Sequence, residues 1–201
     1  MSKYIFLLNL DATITRQEIL PAISCKLGLY DKMRVLAENA AQEKIPYKQS
    51  FLQKVELFKE IPVGEVRRVM GEIPVNEKLA AFIKENRESC YIVTSNLDVW
   101  LEELIARLQM EGNLFSSKAT VKDGYIQDVH YIADKGAVAG QMVSPFVAVG
   151  NGNNDAEMIE TAEIGIGYGG VRRVAPAVLS CASHAIYEEG KLVDFLERLV
   201  G

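Results

Sequence analysis

With 201 residues, 49% apolar and 24% charged, the chain has the size and balance of a soluble globular protein holding one sizeable core, or a core plus a small inserted module. A net charge of −5 argues against the clustered basic surface of a nucleic-acid binder, and no apolar run approaches the ~20 residues of a membrane helix. Cys25, Cys90 and Cys181 are odd in number and widely spaced, which suggests neither a disulfide framework nor a zinc site. The N-terminal apolar run is too short for a secretion signal, so the expected compartment is the cytoplasm.

The first expected element is the apolar run from Tyr4 to Leu8, which stops in polar residues at alternate positions, Asn9, Asp11 and Thr13. A continuous apolar run reads as a buried parallel strand, and open α/β sheets bind ligands beyond the carboxyl ends of their strands, which puts Asn9 and Asp11 at the mouth of a site. For about sixty residues afterwards the apolar spacing is helical, around residues 18–23, 33–36 and 51–58 and then 63–72, with Pro46 and Pro62 as punctuation. From Asn76 the pattern changes to alternating strands and helices, which predicts a doubly wound parallel sheet. Helices are expected over 77–86, 98–108, 136–142 and 192–200, and buried strands over 90–93, 146–149 and 164–166. Asp123-Gly124 carries the signature of a tight turn between two strands.

Two sites of polar residues follow strands. Thr94, Ser95 and Asn96 come after Tyr91-Ile92-Val93. Gly150, Asn151, Gly152, Asn153, Asn154 and Asp155 come after the run 146–149, with glycines that suit a tight turn and close backbone approach. Trp100 reads as a core residue, and His130 and His184 match no motif and read as structural.

In order and separation these motifs resemble the haloacid dehalogenase superfamily, in its phosphoserine phosphatase-like branch, over nearly the whole chain. The resemblance implies an α/β core of residues 1–14 and 76–201, with a small helical cap of residues 15–75 inserted after the first strand. It also implies a site. The first motif of that family is Asp-x-Asp-x-Thr, whose first Asp is the nucleophile that forms an aspartyl-phosphate and whose second is the general acid/base. Here those positions hold Asn9 and Asp11. The resemblance gives Thr94 a hydrogen bond to a phosphate oxygen, assisted by Ser95 and Asn96, and gives Lys135 the role of neutralising phosphate. The family's Gly-Asp-Gly-x-Asn-Asp appears with Asn151 at the first acidic position, normally a magnesium ligand, and with Asn154 and Asp155 unchanged. The implied Mg²⁺ set is therefore Asn9, Asp11, Asn151 and Asp155. In the cap, the residues that recognise the amino-acid part of the substrate fall on Glu18, Tyr47 and Lys54. Lys54 stands for an Arg, and an ammonium cannot give the planar two-pronged contact of a guanidinium to a carboxylate.

The two Asp-to-Asn departures decide the expected chemistry. Asp11, Asp155 and Lys135 together carry the formal charge of −1 that a site of four aspartates and one lysine would have with Mg²⁺ bound. Mg²⁺ gains little from a neutral amide oxygen, so weak or absent metal binding is expected. An amide oxygen is also a poor nucleophile. The expected function is thus a phosphoserine-phosphatase-like protein, inactive or impaired as a phosphomonoesterase, that retains a pocket for a small phosphorylated or anionic molecule. Lys135, Thr94 and the N–H groups at the helix starts after Thr94 and Asn151 are expected to attract that anion. An active phosphatase with an altered mechanism, an Asp-to-Asn variant of an active enzyme, and a protein partner remain open on these residues.

Overall fold

A computed structural model describes residues 3–42 and 45–200. The strands are β1 (Ile5–Asn9), β2 (Cys90–Leu97), β3 (Leu114–Lys122), β4 (Tyr125–Tyr131), β5 (Phe146–Gly150), β6 (Ile164–Tyr168) and β7 (His184–Ile186). They form one sheet in the order β4-β3-β2-β1-β5-β6-β7. All neighbours are parallel except β3 and β4, which form an antiparallel hairpin. Asp123 and Gly124 both have positive φ (53° and 85°), the conformation of the tight hairpin turn that the Asp-Gly pair predicts.

β1 shows why a continuous apolar run becomes a central strand. Phe6 and Leu8 point to one face of the sheet and Leu7 to the other, and all three are wholly buried. The Phe6 and Leu8 face carries α5 (Glu77–Glu85), α6 (Asp98–Leu108) and α10 (Glu189–Val200) through Phe82, Trp100 and Leu192. The Leu7 face carries α7 (Lys135–Ala139), α8 (Ala156–Thr161) and α9 (Pro176–Cys181) through Val138, Met158 and Val178. This is a doubly wound α/β sandwich. The Trp100 ring is core, packed edge-on to Phe58 with centroids 5.4 Å apart.

Among the described residues, four helices lie between β1 and α5: α1 (Ile19–Lys26), α2 (Tyr30–Gln42), α3 (Tyr47–Glu56) and α4 (Val63–Gly71). Their apolar stripes, including Ile23, Met33, Phe51 and Val66, join the same buried cluster as Phe6 and Leu8. The chain enters and leaves this segment side by side. Thr15 and Val75 form an antiparallel bridge, Arg16 N donates to Pro74 O (2.8 Å) and Asn76 N donates to Ile14 O (2.8 Å). That short pairing is a feature the helical spacing of the segment did not predict.

Three differences from the sequence reading have physical reasons. β2 runs on to Leu97 rather than stopping at Val93, and its register with β3 shifts between Val93 and Leu97, so Thr94, Ser95 and Asn96 lie within an irregular strand end. The helix expected over 136–142 is shorter, Lys135–Ala139, and Asp134 caps it by accepting from Ala137 N (3.2 Å). α9 and β7 were not expected. Pro176 at the first turn of α9 is a start signal, but β7 is only three residues of low apolar content at the sheet edge. The two histidines make surface contacts: His184 lies in β7 against the Phe195 ring (4.7 Å between centroids), and His130 lies in β4 beside Thr120.

Candidate active site

The site is built at the carboxyl ends of β1, β2 and β5. β1 ends at Asn9, and the turn over Leu10–Ile14 reverses the chain, with Ala12 in the left-handed region at φ 54°. The Thr15 hydroxyl oxygen holds that turn by accepting from Ala12 N (2.9 Å). The Asn9 side chain is buried and fully bonded. Its Oδ1 accepts from Lys135 Nζ (2.7 Å), and its Nδ2 donates to Asp11 O (2.7 Å) and to Thr13 Oγ1 (3.0 Å). The ammonium on one side and the backbone carbonyl on the other fix which end of the amide is which.

Asn151, the first residue after β5, completes the same cluster. Its Nδ2 donates to Ala12 O (2.9 Å) and Thr13 Oγ1 (2.8 Å), with a longer bond to Asp11 O (3.3 Å). Two amide N–H₂ groups therefore face the backbone oxygens of the first turn. Lys135 is 4% exposed, so it is not a surface lysine, and its Nζ lies 2.5 Å from Asp155 Oδ1. The other Asp155 oxygen, Oδ2, accepts from Asn151 N and Gly152 N, each at 2.8 Å.

These bonds narrow one expectation. Of the N–H groups around Asn151, expected to attract an anion, those of Asn151 and Gly152 are donated to Asp155. The N–H of Asn96 is likewise donated, to Thr94 Oγ1 (3.2 Å), which also accepts from Asn96 Nδ2 (3.2 Å). The Ser95 hydroxyl points to Ala133 O at 3.5 Å. Asn96 Oδ1 is buried without a partner among the described residues.

Each residue to which the resemblance gives a site role lines one cavity of about 180 Å³: Asn9, Asp11, Thr94, Ser95, Asn96, Lys135, Asn151, Asn154 and Asp155 from the sheet side, and Glu18, Tyr47 and Lys54 from the helical side. Asp11 caps α1, its Oδ1 accepting from Ile19 N (3.1 Å). Burial raises its carboxyl to a pKa of about 6, opposed by the Ile19 hydrogen bond and raised further by Glu18. Desolvation of its hydroxyl pushes the Tyr47 phenol up to about 12, against a hydrogen bond with Ser95, although the residue as a whole is half exposed. The remaining lining on the helical side is apolar, with Leu20, Met33 and Phe51 buried. The sequence reading missed Arg172. It lies in the loop after β6 and forms an ion pair with Glu18 across the mouth. Neither spacing nor periodicity marks it, because the pairing spans 154 positions of the chain.

No protein-family model matches the chain. Curated proteins do. The phosphoserine phosphatase of Methanocaldococcus jannaschii is 24% identical over 181 residues, covering 83% of this chain and 85% of that protein. The phosphoserine phosphatase of Lactococcus lactis subsp. lactis is 22% identical over 215 residues, covering 98% and 97%. Among solved structures, a HAD family hydrolase of Salmonella enterica serovar Typhi superposes with a TM-score of 0.80 at 20% identity, over 96% of this chain and 70% of that one. A phosphoserine phosphatase determined as a phospho-aspartyl intermediate analogue gives 0.77 at 22% identity, over 97% and 99%. In sequence the chain is similar to phosphoserine phosphatases, and in fold it is similar to solved structures of a HAD family hydrolase and of phosphoserine phosphatases.

Proposed function

We propose that this protein is a non-hydrolysing relative of the phosphoserine phosphatases, in which a helical cap of residues 15–75 closes a small-molecule pocket on a core of residues 1–14 and 76–201. It binds a small anionic or phosphorylated molecule and does not form an aspartyl-phosphate. The observation that carries this reading is the state of Asn9. Its amide oxygen has no negative charge, its electron pair is delocalised, and the Lys135 ammonium already bonds it. A phosphorus atom would meet a neutral, occupied acceptor.

The donor set gives the same answer for metal. Mg²⁺ is the family's cofactor, and it requires oxygen ligands, preferably carboxylates. Asn9 and Asn151 turn N–H groups toward the Asp11 and Ala12 carbonyls, and both oxygens of Asp155 are engaged. These residues do not suit a divalent cation. Among the described residues no group of three or more His, Cys, Asp or Glu side chains gathers elsewhere to hold one.

One observation favours a second reading, an active phosphomonoesterase with Asp11 as base toward water. A carboxyl titrating near pH 6 is suited to that role. General-base help of ~10²–10⁴-fold does not replace a nucleophile and a metal. The test is hydrolysis of p-nitrophenyl phosphate and of O-phosphoserine by the unmodified chain, with and without Mg²⁺. No turnover above background is expected, and robust turnover overturns the non-hydrolysing reading.

A further inference from the structure

The motifs give a role to every charged residue lining the pocket except Arg172. Its loop, residues 169–175, joins β6 to α9 and is tied at both ends. Gly169 N donates to Ile186 O (2.8 Å), and Ala175 N donates to Asn151 O (2.8 Å), within the site itself. A Cβ on Gly169 would strike the Tyr187 ring and one on Gly170 the Tyr168 hydroxyl, so both glycines are packed against aromatic side chains, and Val174 is buried. Arg172 therefore reaches the cavity from a fastened loop, and there it meets Glu18. Glu18 is held as well. It directly precedes α1, whose first N–H, that of Ile19, donates to Asp11 Oδ1 (3.1 Å).

Both side chains of the Glu18–Arg172 pair are half exposed, so the pair adds little to stability. Its consequence is for the occupant of the pocket. An ammonium that enters a cavity loses hydration and needs a carboxylate in return. Three carboxylates line this cavity. Asp155 is bound by Lys135 and by the N–H groups of Asn151 and Gly152, and Asp11 carries the Ile19 N–H. Glu18 is the carboxylate of the helical side, and a guanidinium lies against it. A few ångströms away, the attraction of an ammonium to Glu18 and its repulsion from Arg172 are of similar size, because Coulomb energy falls only as the inverse of distance. The two charges cancel for a cation.

We infer that Arg172 is a specificity-determining residue of this pocket: held against Glu18, it cancels the charge that would receive a ligand ammonium, so the small anionic or phosphorylated ligand carries no amino group. This role presupposes the anion-binding reading proposed above and narrows its ligand class. No bond is made or broken.

The probes are n-propyl phosphate and phosphoethanolamine, which differ only in a methyl group where the second has an ammonium. Both are titrated calorimetrically into the full chain with EDTA at constant ionic strength, and released inorganic phosphate is measured with EDTA and with Mg²⁺. n-Propyl phosphate should bind at one site, at least about tenfold more tightly than phosphoethanolamine. The apolar lining adds to that preference, so the affinity ratio in variants is the decisive reading. Arg172→Met should move the ratio by about tenfold toward phosphoethanolamine, and Glu18→Gln should move it about tenfold the other way. The double variant, lacking both charges, should return to within about threefold of the parent ratio. Arg173→Met, in the same loop but outside the cavity, should leave the ratio within about twofold of the parent. Arg172 loses the role if the parent binds phosphoethanolamine as tightly as n-propyl phosphate, or if Arg172→Met folds and leaves the ratio unchanged. If Arg172→Met does not fold, an unchanged ratio in Glu18→Gln has the same force. If neither ester binds, the anion-binding reading falls and the role of Arg172 with it. Phosphate release by the parent with Mg²⁺ removes only the non-hydrolysing reading, because the ratio is measured with EDTA.

Discussion

At the scale of single residues, the two asparagines exchange charge for hydrogen bonds. Asn151 Nδ2 bridges Ala12 O, Thr13 Oγ1 and, at longer reach, Asp11 O, so it clamps a turn that contains a left-handed non-glycine residue. Asn151→Asp would set a carboxylate against those oxygens. It should cost at least about 3 kcal/mol without divalent cations, and Mg²⁺ should recover part of the loss. Thermal unfolding with EDTA and with Mg²⁺ reads this directly: a melting temperature that responds to Mg²⁺ only in the variant is the expected result. Asn9→Asp combined with Asn151→Asp should go further and yield Mg²⁺-dependent hydrolysis of an aryl phosphate. Asn9→Asp alone should yield less, because the metal that aligns the phosphoryl group is missing.

Asp11 makes a pH prediction. Its folded-state pKa lies near 6, above the ordinary 3.8, so the folded chain binds that proton more tightly than the unfolded chain. The stability linked to this group is fully present below about pH 4 and is lost as pH rises through about 6. Asp11→Asn removes the dependence. The variant should match the parent near pH 4 and exceed it at pH 7.5 by up to about 3 kcal/mol, as measured by urea unfolding at each pH. Parallel stability curves would show that burial does not penalise the Asp11 charge.

At the scale of elements, the turn after β5 is as tightly constrained as the turn after β1. A Cβ on Gly150 would lie 2.6 Å from Asp155 Cγ, and Asp155 has no freedom to move while Lys135, Asn151 N and Gly152 N hold it. Gly150→Ala should therefore lower stability by roughly 2–3 kcal/mol, far more than an alanine at an open glycine, and the midpoint of denaturant unfolding checks it. The crossing between sheet and helical segment has its own fastener. Asn76 is buried and its Nδ2 donates to Thr13 O (2.7 Å), joining the exit of the segment to the first motif. Asn76→Ala leaves that carbonyl unpaired, at about 1–3 kcal/mol.

At the scale of the whole molecule, one apolar cluster runs from the Phe6 face of the sheet through Phe58 and Val66 into the four inserted helices. Sheet and helices should consequently unfold as a unit. Phe58→Ala, which removes a wholly buried ring from the contact with Trp100, should cost about 3–5 kcal/mol while keeping a single transition. Two separated transitions, followed by tryptophan fluorescence and by circular dichroism, would mean that the inserted helices have a stability of their own.

The sequence alone determined the α/β class, the helical insertion and the polar strand ends at Asn9, Thr94 and Asn151, because each depends on local pattern, whereas Lys135, Glu18, Tyr47 and Lys54 came from the resemblance of the motifs. A strand that is apolar on both faces can only be central, and polar residues at its carboxyl end sit at the mouth of the sheet, where Asn9, Thr94 and Asn151 are found. Tertiary structure decided what those residues do to one another. That Lys135 is buried and spent on Asn9 and Asp155, that the N–H groups of Asn151 and Gly152 are already donated, and that Arg172 closes on Glu18 are all contacts between distant parts of the chain. Motif spacing specifies which side chains converge. Hydrogen-bond saturation depends on the direction of every donor after folding, and here that direction decides which charges in the pocket remain for a ligand.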